Sequence, residues 1–168
     1  MADAEWLTEH EQLAWRGFLD MQTQVLRRIS RQLQRDSGLS DTDYEILVRL
    51  TEASDGTLRA IELAAATQWE KSRISHQINR MVERGLVTKE SCSNTRHVHI
   101  SVSKLGRAAI EAAAPLHVAE VRRSLIDALS VDQLDALVDI ATTISQHLAE
   151  TDPQCGEDTL PCPGTPPT

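Results

Sequence analysis

The sequence predicts a mainly α-helical protein with a small β-wing of two or three strands, and three observations carry that prediction. Long stretches near both ends repeat apolar residues every three or four positions, the period of a helix with one buried face. Aromatics are only 3% of the 168 residues within an apolar share of 40%, a mix dominated by Ala, Leu, Val and Ile that favours helices packed by aliphatic side chains. Between the long stretches, residues 69–106 read as a short basic helix, a stop at Gly85 and two extended runs around a polar tip. The length suits one domain.

The first long pattern runs from Trp6 to Gln34. Trp15, Phe18, Leu19, Gln22, Val25, Leu26, Ile29 and Leu33 keep the helical period, while Arg27, Arg28, Arg31 and Arg35 fall mainly elsewhere. No partner lies close in sequence, so this stripe needs distant helices or another subunit to cover it. Gly38 breaks the pattern. Ser40 then reads as an N-cap with Asp43 at the capping-box position, opening a helix whose apolar face is Tyr44, Leu47, Val48 and Leu50. Asp55-Gly56 marks a turn. The segment from Thr57 or Leu58 reads as a small alanine-rich helix ending near Thr67.

The basic helix follows. Ile74, Ile78, Met81 and Val82 form its apolar stripe, and Ser72, Arg73, Ser75, His76, Gln77 and Arg80 form the other face, with groups able to pair with phosphates and base edges. Residues 86–91 and 97–102 read as strands joined by a loop with Ser93, Asn94, Thr95 and Arg96. A helix-turn-helix followed by such a hairpin is the winged helix-turn-helix layout. Ser103 caps the next helix, which runs on towards Leu129 with Pro115 expected to kink or divide it. Ser130 and Gln133 start a last amphipathic helix through Leu134, Leu137, Val138, Ala141, Ile144 and Leu148. After Glu150, five of the six prolines crowd a stretch with no Lys or Arg, a composition that reads as a disordered tail.

The net charge of −8 argues at first against a nucleic-acid partner. Its distribution argues otherwise. Residues 67–107 hold eight Lys and Arg against three Glu, a net of +5, so the remainder carries −13. A basic surface on an acidic body can still neutralise phosphates. The same charges also fit ordinary solvated helix surface. Arg84 and Lys89 read as phosphate contacts or solvent-facing charges rather than base readers.

With RMVERGLV and the later VSKLGR, the order of elements resembles the MarR (multiple antibiotic resistance regulator) family of bacterial transcription regulators, over roughly residues 6–148. The resemblance implies a homodimer on double-stranded DNA. Residues 1–35 would be the N-terminal dimerisation helix, 36–106 the DNA-binding lobe and 107–150 the C-terminal dimerisation helices, followed by the tail at 151–168. The helix Glu70–Arg84 would enter the major groove and the wing the minor groove. In the family the wing usually carries Asp-x-Arg. The matching residues here are Asn94-Thr95-Arg96, so the arginine is retained and its carboxylate partner is not. The implied function is a sequence-specific regulator, most often a repressor, on a palindromic operator with half-sites about one helical turn apart, released by an effector or by oxidation.

Other readings stand beside these. Trp15, Phe18, Tyr44 and Ala112 are candidates for the pocket in which the family often binds small phenolic or lipophilic effectors, although a hydrophobic core fits each of them better. Cys92 in the wing is a candidate redox thiol or an inert one. His97 and His99 with Cys92 could form a metal corner, but wing residues near DNA fit them better, and no metal or cofactor is expected. Three cysteines without a CxxC fit a reducing compartment. An acidic start and the absence of a run of ~20 apolar residues predict a cytoplasmic protein. No GxSxG, P-loop or HExxH motif occurs, so an enzyme is not expected. The alternative function is a helical protein–protein adaptor that keeps a winged helix without binding DNA.

Overall fold

The structure, a computed structural model, describes residues 6–91 and 98–151. Cys92, Asn94, Thr95, Arg96 and His97, and the proline-rich tail with Cys155 and Cys162, lie outside the described residues. Six helices run in the order α1 (Glu9–Ser37), α2 (Asp41–Glu52), α3 (Ala60–Thr67), α4 (Lys71–Glu83), α5 (Lys104–Ser124) and α6 (Val131–Thr151). Three short strands, β1 (Thr57–Arg59), β2 (Val87–Ser91) and β3 (Val98–Val102), make one antiparallel sheet in the order β1-β3-β2.

The helix ends follow local chemistry. Thr8 caps α1 through a capping box with Glu11, and Gly38 closes it at φ +66°, a left-handed position where a side chain is costly. Ser40 caps α2, with the Asp43 carboxylate returning to the Ser40 amide at 2.9 Å. Ser103 caps α5 by accepting from the Gly106 amide at 2.9 Å, while its hydroxyl donates to the Gly85 carbonyl at 2.6 Å. Ser130 and Gln133 satisfy each other's backbone amides at the start of α6.

Two expectations need correction. The segment at Thr57 does not begin as helix: Thr57–Arg59 pairs with Ser101, Ile100 and His99 of β3 and α3 starts only at Ala60. Pairing with β3 outweighs weak local propensity in so short a segment. Pro115 does not divide α5, which continues to Ser124 before a single 3-10 turn at Ile126–Ala128. Proline removes one backbone donor, and α5 is held by packing against α1 and α2.

The core lies in the central lobe. Leu39, Ile46, Leu47, Leu50, Leu63, Ile74, Ile78, Met81, Ile100 and Ile110 are buried together. Gly106 lets α5 approach the strand that follows α4, because a Cβ there would sit 2.0 Å from the Leu86 carbonyl oxygen and 3.1 Å from Leu47. The Gly106 of the VSKLGR stretch is therefore a packing requirement. Outside the lobe, α6 has no buried residue, and Val138, Ile140, Ile144 and Leu148 are exposed. Leu13, Trp15, Phe18, Leu19 and Leu26 of α1 are exposed as well. No helix among the described residues is long and apolar enough to cross a membrane.

Candidate nucleic-acid interface

Helix α4 is held by one face and presents the other. Ile74, Ile78 and Met81 are buried in the lobe, whereas Ser72, Arg73, Ser75, His76, Asn79 and Arg80 are exposed. Val82, read from sequence as part of the apolar stripe, is 38% exposed. Its place on the inner face is taken by Gln77, which is 9% exposed.

That substitution of roles has a cause. The Gln77 side-chain amide donates to Asp43 Oδ1 at 2.7 Å, and Arg84 Nη1 donates to Asp43 Oδ2 at 2.6 Å. Arg84 Nη2 also donates to the Gly38 carbonyl at 2.7 Å. Asp43 thus joins the start of α2 to both the middle and the end of α4, and Arg84 extends the link to the end of α1. Burial alone would raise the Asp43 carboxyl, but bonds from the Ser40 amide, Arg84 and the Ser40 hydroxyl outweigh it and hold the carboxyl below its ordinary value. A buried carboxylate is tolerated only when so served.

Gln77 is therefore turned to the interior and bonded there, and Arg84, read from sequence as a phosphate contact or a solvent-facing charge, clamps Asp43 and the Gly38 carbonyl while its side chain stays 41% exposed. The signal was present in the spacing. Residues 74, 77, 78 and 81 are the i, i+3, i+4 and i+7 positions of one helical face; residue 82 lies off it.

The exposed face is chemically coherent. Ser72 and Arg73 lie in the first turn, which contains no acidic residue and where unpaired backbone amides favour an anion. The Arg73 guanidinium sits 4.2 Å over the Trp69 ring, which limits the conformations open to a long cation. Lys89 of β2 donates to the Asn79 side chain at 3.0 Å, fixing the hairpin against the outer side of α4. The first turn, the 76–80 row and the base of the hairpin form one surface, and the wing residues Asn94, Thr95 and Arg96 that would extend it lie outside the described residues.

The remaining sequence candidates separate. Trp15 and Phe18 stack at 6.0 Å, but are 53% and 46% exposed. Tyr44 packs instead on His117 of α5 at 4.3 Å, and Ala112 is exposed. Burial holds the His117 imidazole below its ordinary pKa, opposed by Asp41. Among the described residues no group of three or more His, Cys, Asp or Glu is arranged for a metal; His99 lies opposite Arg59 and Glu90 across the sheet.

Comparison with known proteins adds to this geometry. A family model described as MarR family matches residues 37–96. AbsC of Streptomyces coelicolor, titled a MarR family transcriptional regulator, is 38% identical, with 88% of this chain and 99% of that one covered at a TM-score of 0.81. Sco3205 from the same organism, titled likewise and solved in complex with DNA, is 32% identical over 88% of this chain and 93% of its own, also at 0.81. The organohalide-sensing regulator RdhR-CbdbA1625 in its 2,4-dichlorophenol-bound form is 18% identical at a TM-score of 0.74, covering 88% of each chain, a likeness of fold. No curated protein sequence matches the chain.

Proposed function

The chain belongs to the MarR family of transcriptional regulators, and from that premise we propose that it binds double-stranded DNA in a sequence-specific manner, as a homodimer on a palindromic operator. The observation that carries the reading is the division of α4 into a buried face of Ile74, Gln77, Ile78 and Met81 and an exposed face of Ser72, Arg73, Ser75, His76 and Arg80. In this reading α4 enters the major groove. Arg73 and Arg80 pair with guanine edges or phosphates, Ser72 and Ser75 meet phosphate near the helix start, and His76 donates to a base. Asn94, Thr95 and Arg96 reach the adjacent minor groove, where its negative potential favours an arginine.

The dimer is supported by the exposed apolar rows of α1 and α6, since rows of that size on two helices need a cover. Two copies of α4 held by one dimer read two half-sites, so their spacing controls affinity. The most economical regulatory role is repression by occupancy. Release would follow when an effector, a small phenolic or lipophilic molecule near Trp15, Phe18, Tyr44 and Ala112, or oxidation of Cys92 favours another spacing.

The test is selection of bound duplexes from genomic fragments, followed by titrations across salt concentrations. Arg80→Ala and Arg96→Ala should each weaken binding to the selected site and reduce the salt slope by about one. Gln77→Ala should lower the melting temperature and leave the slope unchanged. No enrichment of any sequence would overturn DNA binding and return the chain to a protein–protein adaptor; an unchanged slope for Arg96→Ala would remove the wing.

A further inference from the structure

A second concentration of arginines lies away from α4. Arg28, Arg31 and Arg35 occupy one face of α1, and Arg123 of α5 faces them; with Gln32 and Glu120 they line a cleft of about 310 Å³. We infer that this cleft binds a small, doubly charged oxyanion, a dicarboxylate or a phosphate group, held between the end of α1 and the end of α5.

The charge count is the first argument. Glu120 is buried and already serves three donors: Arg28 at 3.1 Å, Arg123 at 2.6 Å and the Ser124 hydroxyl at 2.6 Å. Asp36 takes Arg35 through both oxygens, at 2.7 and 3.1 Å, and the Gln32 amide at 3.1 Å. Two carboxylates against four guanidiniums leave two positive charges unbalanced. Arg31 meets only a backbone oxygen among the described residues, the Arg27 carbonyl at 3.3 Å. A guanidinium carries five donors in a planar fork, so each of the four keeps donors free for an oxyanion.

The second argument is independent of charge. Gln32 is 2% exposed and lines the cleft, with its amide nitrogen held by Asp36 and its Oε1 lacking any hydrogen-bond partner. A buried acceptor left in that condition is rare in a native fold. The hydroxyl of a hydrogen phosphate supplies the missing donor directly, whereas an ionised dicarboxylate, which only accepts, needs a water to bridge to it. A surface ion-pair network alone would need neither the excess of arginines nor an orphaned acceptor. The cleft also differs in chemistry from an aromatic pocket: every side chain lining it is polar or charged.

The site sits where it can be felt by α4. Asp36 lies two residues before Gly38, whose carbonyl accepts from Arg84 at the end of α4. An anion that draws Arg35 from Asp36 perturbs the end of α1 at that junction. This regulatory consequence rests on the DNA-binding reading above; anion binding itself does not.

Calorimetry on the full chain at constant ionic strength, titrating succinate, inorganic phosphate and acetate, tests the site. Succinate or phosphate should bind saturably at one per chain, with acetate at least ~10-fold weaker, and the preferred dianion identifies the source. Arg31→Gln and Arg123→Gln should each weaken binding ~10-fold or more, the scale of a lost charged hydrogen bond, while Arg16→Gln on the same helix should not. Equal non-saturating heats for all three anions would overturn the proposal. So would Arg31→Gln and Arg123→Gln variants that lower the sedimenting mass yet leave the isotherms unchanged, because the arginines would then serve the partner's α6, which carries Asp132, Asp135 and Asp139 and no Lys or Arg. A saturable isotherm without operator binding leaves the site standing and sinks the DNA reading; operator binding without an isotherm does the reverse.

Discussion

Asp43 ties down the basic helix α4 through its inner face. Its carboxylate receives Gln77 and Arg84 from α4 and the Ser40 amide at its own helix start. Asp43→Asn keeps the shape and removes the charge that holds Arg84. Loss of a fully buried pair costs 3–5 kcal/mol, but the Arg84 side chain is 41% exposed, so the expected loss is about 2 kcal/mol, read by thermal or urea unfolding. The sign with pH follows from the depressed carboxyl. Its stabilisation is complete above about pH 4, the ordinary Asp range, and disappears as pH falls through the lower folded value. The gap between Asp43→Asn and the unsubstituted protein should therefore close on acidification; a gap constant from neutral pH to the acid limit would rule out the ionised carboxylate as its cause. At this scale the sequence was half legible. Asp43 as a capping residue follows from Ser40 three positions earlier, and Gln77 inward follows from strict helical spacing. The pairing of Asp43 with residues 34 and 41 positions away does not, because it depends on how α2 and α4 cross.

Among the elements, α5 shows how one residue sets the distance between two layers. Gly106 stands at the first turn of α5 against the Leu86 carbonyl. Gly106→Ala would force the helix from the strand behind it, and backbone cannot yield as a side-chain tip does. The expected destabilisation is ~3 kcal/mol, the upper part of the overpacking range, measured as a fall in melting temperature; a neutral Gly106→Ala would mean that α5 slides freely on the lobe. The caps at Ser40, Ser103 and Ser130 and the stop at Gly38 were readable because each is a local bargain between a side chain and unpaired backbone. The start at Thr57 was misread because its partner strand is Ser101 to His99, far along the chain. Of the two outcomes expected at Pro115, division of the helix does not occur, because the local loss of a donor is outweighed by packing that spacing cannot reveal.

At the scale of the molecule, the described chain is a well-packed lobe attached to helices that bury little. The α6 row of Val138, Ile140, Ile144 and Leu148 has no cover among the described residues of one chain. If a second copy covers it, Val138→Asp combined with Ile144→Asp should give a monomer by sedimentation, and the melting temperature of the unsubstituted protein should rise with concentration, as for any folded dimer in equilibrium with unfolded chains. A concentration-independent melt together with a monomeric mass would exclude the homodimer. The sequence by itself determined the order of the helices and the hairpin, the solvent-facing basic helix and the family likeness, though not the strand at Thr57, because periodicity, caps and turn residues act over a few positions. Only the tertiary structure decided which polar residues of that helix face inward, how α1, α2 and α4 are clamped through Asp43 and Arg84, and that four arginines from two distant helices meet around Gln32. Those are contacts between residues far apart in the chain, and their geometry is set by helix crossings rather than by any local pattern. The basic stretch at residues 69–106 thus divides into an outward face legible from its spacing and an inner face whose partners had to be seen.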